Sequence, residues 1–199
     1  MINRYALTTA ILATALLLAA GCSQKTTPDP FREAVSAKIV ESMGRDMKVS
    51  FYSFEKVDST TYGTELEHRK TAFNKKLGID RERYEQFLME RKPKNTQKKK
   101  EDVETDLRFL EGLDRIGEEI ADRLDEVAYY DFHFSGKAKS PEGDVEFEDW
   151  WASISPEGEV LCMLKGKKGL HNALGRVLPG YLDLAGKEGI EEEDNEDKI

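Results

Sequence analysis

Cysteine is almost absent from this chain of 199 residues, occurring only as Cys22 and Cys162. Cys162 sits in the run Val160-Leu161-Cys162-Met163-Leu164, which reads as a small buried hydrophobe; a catalytic thiol would want an accessible, electropositive setting. Positive charge is in deficit, with 30 Lys and Arg against 39 Asp and Glu. No excess of cations is left to neutralise phosphates, which argues against a nucleic-acid partner. Histidine occurs only at His68, His133 and His171, on three separate predicted elements and without the short-range spacing of metal ligands, so no metal site is expected. No glycine-rich phosphate loop and no serine in a nucleophile elbow is present, which lowers the case for an enzyme, and no cofactor is called for. The only regularity between segments is a pair of identical turn quartets fifteen residues apart, too short a period for a solenoid.

One apolar stretch stands out. Residues 6–20 are apolar or small, interrupted only by Thr8, Thr9 and Thr14, and follow the single positive side chain of Arg4. As a helix the stretch would reach about 22 Å, short of the roughly 30 Å hydrocarbon core, so it fits a cleaved signal better than a permanent span. It closes on Leu18-Ala19-Ala20-Gly21-Cys22, which resembles the lipobox of bacterial lipoproteins, although Ala19 stands where that family most often has leucine. The resemblance implies cleavage before Cys22, acylation of Cys22 and attachment to the membrane of a bacterial cell envelope through its acyl chains. Two or three chains hold stably where one would be marginal. Ser23, where an aspartate would resemble an inner-membrane retention signal, leans the resemblance toward the outer membrane. With Cys22 acylated, Cys162 is the only thiol left and no intramolecular disulfide can form. Removing residues 1–21 takes away Arg4 alone among charged side chains, leaving 29 basic against 39 acidic and a net charge of about −10, which suits solubility beside an anionic membrane.

The expected organisation is a signal peptide (1–21), a lipidated Cys22 with a polar, proline-containing tether (22–30), one α+β domain (31–186) and an acidic disordered tail (187–199). Within the domain, Phe31, Val35, Ile39, Val40 and Met43 recur at helical spacing, and 49–57 then turns β-branched and aromatic. Leu66, Phe73, Leu77, Tyr84, Phe87 and Leu88 predict a second helix, broken at Gly78 and restarted with Asp80 as N-cap. A polar loop follows, and then a narrow apolar stripe from Val103 to Val127 predicts a helix of about 25 residues that pairs antiparallel with the preceding one. Tyr130, Phe132 and Phe134 alternate with Tyr129, Asp131, His133 and Ser135 as in a strand, and Ser140-Pro141-Glu142-Gly143 and Ser155-Pro156-Glu157-Gly158 bracket the next one. A last helix carries Leu170, Leu174, Val177, Leu178, Tyr181 and Leu184, divided near Pro179. The fold class is therefore α+β: a four-stranded antiparallel sheet with N- and C-terminal helices packed on it and a long helical hairpin inserted between strands 1 and 2. This element order resembles the cystatin-like and NTF2-like folds, which implies a helix lying on a curved antiparallel sheet.

Candidate functional residues fall into three groups. Asp131 and His133 share a strand face opposite the aromatic one, roughly 7 Å apart, a weak acid-base pattern that reads more readily as a polar strand face. Trp150 and Trp151, being adjacent, must point to opposite faces, so one is core and the other is either capped by a helix or lines a ligand or partner surface. Lys98, Lys99 and Lys100, with Arg91, Lys92 and Lys94, form a basic patch at the expected hairpin tip, suited to anionic headgroups, an acidic partner or the chain's own acidic tail. The tail itself lacks the spacing of a calcium loop. The leading expectation is a cell-envelope lipoprotein whose domain binds a protein or small-molecule partner. The alternative is a small-molecule carrier or enzyme with an aromatic pocket on the sheet, and a further option is self-assembly through the 103–127 stripe.

Overall fold

The computed structural model describes residues 29–43, 47–140, 143–172 and 174–189. Along the chain run α1 (Pro30–Met43), β1 (Lys48–Thr61), α2 (Tyr62–Met89), α3 (Pro93–Glu119), β2 (Val127–Ser140), β3 (Gly143–Ile154), β4 (Val160–Lys165), a 3₁₀ turn (Leu174–Val177) and α4 (Tyr181–Glu188). The four strands pair antiparallel in the order β1-β2-β3-β4, with the α2–α3 hairpin inserted between the first two. This is the α+β architecture expected from the sequence. Cys22, the signal stretch, most of the tether, Pro141, Glu142 and residues 190–199 lie outside the described residues.

Both faces of the sheet are covered. Val35 and Ile39 of α1 sit on Phe132, Phe134, Ala152, Ile154 and Met163. A train of rings crosses that face, with centroids 5.2 Å apart for Phe31 and Phe132, 4.9 Å for Phe132 and Phe54, and 5.7 Å for Phe134 and Phe51, spacings at which aromatic pairs add to simple burial. The opposite face presents Tyr129, Cys162 and Leu164 to Leu170 and Leu174 from the segment after β4. That segment then turns onto the hairpin, where Leu178, Tyr181 and Ala185 close a third cluster with Leu66, Phe109, Leu113, Ile116 and Ile120. The C-terminal segment thus joins sheet to hairpin.

Several helix limits differ from expectation, and of the expected last helix only Tyr181–Glu188 is α-helical, Leu174–Val177 being a 3₁₀ turn. Helix α2 runs unbroken for 28 residues through Gly78 and Asp80. Asp80 does not cap; its carboxylate is drawn sideways to Lys99 and Lys76. The real N-cap is Thr61, whose Oγ1 accepts the Thr64 N–H at 3.2 Å. Helix α3 begins at Pro93, ten residues before the apolar stripe, because a proline at the first position and i,i+4 bonds such as Gln97 to Glu101 support a turn that has no apolar face. It ends at Glu119, and Val127 opens β2.

Candidate functional site

The sheet face carrying Asp131 and His133 is packed rather than solvated at its inner end. Asp131 is buried; Ser153 Oγ donates to its Oδ1 at 2.6 Å, and His171 Nε2 lies 2.7 Å from its Oδ2. Serine and histidine are both partners of the aspartate, not of each other. His133 does not engage Asp131 at all. Its Nε2 lies 3.2 Å from Asp149 Oδ1, which also accepts Trp151 Nε1–H at 3.1 Å, and its ring stacks on Trp151 with centroids 4.8 Å apart. Lys167 Nζ stands 5.1 Å from the Trp151 centroid. Asp149 reaches both partners from a β-bulge, where Glu148 and Asp149 of β3 oppose Ser135 alone and Asp149 adopts φ 55°. Trp150 points to the other face, packed beneath α1.

Beside Trp150 the space among Ile39, Met43, Phe147 and Met163 is about 20 Å³. That is room for about one water, against the ~300 Å³ or more of a small-molecule site.

A second polar cluster lies at the root of the hairpin. Glu65 is fully buried and accepts from Tyr129 Oη at 2.9 Å and from Arg69 Nε at 2.6 Å. Arg69 goes on to donate to the carbonyls of Asn172, at 2.9 Å, and His171. Burial, then the Glu65 charge, raises the Tyr129 phenol above its ordinary value, and burial likewise raises the Cys162 thiol. The arrangement fixes α2 and the loop bearing His171 to the sheet. The i,i+4 pair Glu65 and Arg69 was the sequence signal for it, indistinguishable from an exposed helix pair without the fold.

The three consecutive lysines do not act together. Lys99 turns inward, 2.9 Å from Asp80 Oδ1 and 2.6 Å from Asp102 Oδ2; Lys100 lies 3.6 Å from Glu104; Lys98 is exposed. Lys99 is held above its ordinary value by its bonds to Asp102 and Asp80. Burial alone would raise Asp80, but the Lys99 and Lys76 ammoniums prevail and hold it below the usual carboxylate range. Deeper still, Asp106 receives Lys76 on Oδ1 and has Oδ2 buried without a hydrogen-bond partner among the described residues. Along this side of the hairpin runs an open recess of about 780 Å³, whose lining includes Lys75, Lys76, Arg83, Lys98 and Lys99, the carboxylates Asp80 and Asp102, and the apolar Ile79 and Phe87. At the tip, Leu88 and Met89 are exposed, Met89 by 79%. Arg91 and Lys94 beside them make no ion pair among the described residues, whereas Lys92 is held by Glu90 at 2.6 Å.

No group of three or more His, Cys, Asp or Glu side chains among the described residues is placed to hold a metal ion, and no described helix is long and apolar enough to cross a membrane. Neither a protein-family model, nor a curated protein, nor a solved structure matches this chain.

Proposed function

We propose that this is a lipoprotein of the bacterial cell envelope, leaning to the outer membrane, held by acyl chains on Cys22, whose domain binds a partner through the helical hairpin. The observation that carries the hairpin reading is its tip, where exposed Leu88 and Met89 stand beside Arg91 and Lys94, cations that have no ion-pair partner among the described residues. Apolar side chains next to free cations suit an anionic lipid surface, where each Lys or Arg contributes on the order of 1 kcal/mol and the apolar residues enter the headgroup boundary. The small-molecule alternative finds no support on the Trp150 side of the sheet, where the space holds about 20 Å³.

Two measurements test the two halves separately. Intact mass spectrometry of the membrane-extracted protein should give a chain beginning at an acylated Cys22; an unprocessed N-terminus removes the anchor. Protease treatment of whole cells then separates a surface domain from a periplasmic one. For the hairpin, the unacylated chain from Ser23 should partition onto vesicles rich in anionic lipid. The variant Met89→Glu/Arg91→Glu/Lys94→Glu should lose at least about tenfold in partitioning, consistent with about 1 kcal/mol or more per contact. Unchanged partitioning removes the hairpin as the contact.

A further inference from the structure

The recess along the hairpin continues, through Lys76 and Asp102 shared between them, into an inner one of about 600 Å³ that also takes in Phe73, Thr105, Asp106 and Glu188. That volume is within the range of small-molecule sites. The two halves of the groove differ in charge. Around the inner half, Asp80, Asp102, Asp106 and Glu188 share only Lys76, Lys99 and Arg108, so the ion-pair network is one cation short. The shortfall falls where an acceptor is orphaned. Asp106, fully buried in the lining, gives Oδ1 to Lys76 and leaves Oδ2 without a donor among the described residues. A buried carboxylate oxygen in that state keeps a desolvation cost that a fitting donor relieves. The outer half is the reverse: five cations stand against Asp80 and Asp102, and Lys75, Arg83 and Lys98 have no ion-pair partner among the described residues.

These features select a cation for the inner half and set what it carries. A calcium ion would need about six oxygens or more, and no group of three or more His, Cys, Asp or Glu side chains among the described residues is placed to hold a metal. A primary ammonium brings one charge and donors enough for one oxygen, and its methylene stem can lie beside the Phe73 ring. A second ammonium on the same molecule would meet the cations of the outer half. An anionic group would instead be held by them. From Asp106 out to Lys98 the axis of α3 rises only about 12 Å, and long lysine side chains shorten the gap further.

We infer that the hairpin groove binds a small zwitterion, its primary ammonium donating to Asp106 Oδ2 and its anionic group held by Lys75 and Lys98. The site lies inward of the tip and stands independently of the membrane reading.

Amide chemical-shift titrations of the unacylated chain from Ser23, which holds every described residue, test this with ε-aminocaproate, hexylamine and hexanoate as probes. The zwitterion should move amides of 102–109 and 186–189 and bind at least about threefold more tightly than hexylamine, the worth of one partly exposed ion pair. Hexanoate should bind most weakly. In Asp106→Asn, which keeps the side chain's size, ε-aminocaproate and hexylamine should both weaken at least about tenfold, with unshifted β2 amides reporting a folded domain. Lys75→Glu/Lys98→Glu changes two exposed positions and should erase the advantage of ε-aminocaproate while leaving hexylamine bound at least as tightly. The tip variant Met89→Glu/Arg91→Glu/Lys94→Glu should titrate like the unaltered chain, so failure of the membrane contact and failure of this site are separable. No saturable shift, affinities unchanged in Asp106→Asn, or equal affinity for ε-aminocaproate and hexylamine would each overturn the proposal.

Discussion

The most demanding side chain in the molecule is Glu65, a carboxylate with no solvent contact whose two oxygens are divided between Tyr129 and Arg69. Glu65→Ala would strand the guanidinium at the hairpin root, and breaking a buried pair from one side costs about 3 kcal/mol or more. Tyr129→Phe removes one bond and leaves Arg69 in place, so it should cost about 1 kcal/mol. Urea unfolding of both single variants and the double variant should show coupling of about 1 kcal/mol; simple additivity would mean that the two side chains do not share one network. The Asp80 and Lys99 pair makes a different prediction, in pH. Because the folded state holds Asp80 below its ordinary value near 3.9, its contribution is present above that pH and is lost as pH falls through the lower folded value. Lys99, raised in the fold, contributes fully below about pH 10.4 and loses that contribution as pH rises through its folded value. Denaturation midpoints of Asp80→Asn should therefore decline less than wild type below about pH 4, and those of Lys99→Met less above about pH 10.5. Parallel curves would show that the pair is not coupled to folding.

At the scale of elements, the strands were legible because an alternating pattern has one solution: Tyr130, Phe132 and Phe134 fall on the α1 face and Tyr129, Asp131 and His133 on the other. Both tryptophans obeyed the same rule, Trp150 under α1 and Trp151 on His133. The start of α3 was not legible, because residues 94–100 are nearly all polar and a helical period is visible only where apolar residues mark it. Asp80 looked like a cap because Gly78-Ile79-Asp80 is how a broken helix restarts; only the approach of Lys99 from α3 shows that it belongs to a helix interior. The pairing of Asp131 with His171, 40 residues on, had no local signal, and the pattern instead suggested His133, the nearer histidine on the same face. Next to the bulge between β2 and β3, Gly136 sits where β1 and the Phe147 ring come close. A Cβ there would lie 2.3 Å from the Ser50 carbonyl oxygen and 2.7 Å from the Phe147 ring, so backbone and ring would both have to move. Gly136→Ala should cost about 1–3 kcal/mol, as overpacking does. The same substitution at Gly78, which has open space around it, should be neutral or stabilising by up to about 1 kcal/mol as glycine gives way to a better helix former. Thermal midpoints of the two variants moving together would refute this account of Gly136.

As a whole the molecule is a sheet packed on both faces with a lever attached, and the two parts are held by different forces. The buried apolar side chains of the hairpin lie toward its root: Leu66, Phe109, Leu113, Ile116 and Ile120, locked by Leu178, Tyr181 and Ala185 from the C-terminal segment. Beyond Phe73 the two helices meet through Leu77 and a run of ion pairs, Lys76 with Asp106 and Asp80, then Lys99 with Asp80 and Asp102. Apolar burial at about 25 cal/mol per Å² is insensitive to ionic strength at this level, whereas partly exposed ion pairs are screened as the Debye length shortens from about 10 Å at 0.1 M salt to about 3 Å at 1 M. Local opening should therefore be graded along the hairpin. In hydrogen exchange, amides of 104–118 should be protected nearly as well as those of β2, while amides of 80–98 should exchange at least about tenfold faster, a difference of about 1.4 kcal/mol in opening free energy. Raising the salt from 0.1 to 1 M should quicken exchange in the outer segment and leave the root and the sheet unchanged. Uniform protection along the hairpin, or an equal salt effect at both ends, would mean that the outer helices share the cooperative core, and the lever would then be as rigid as the sheet that carries it.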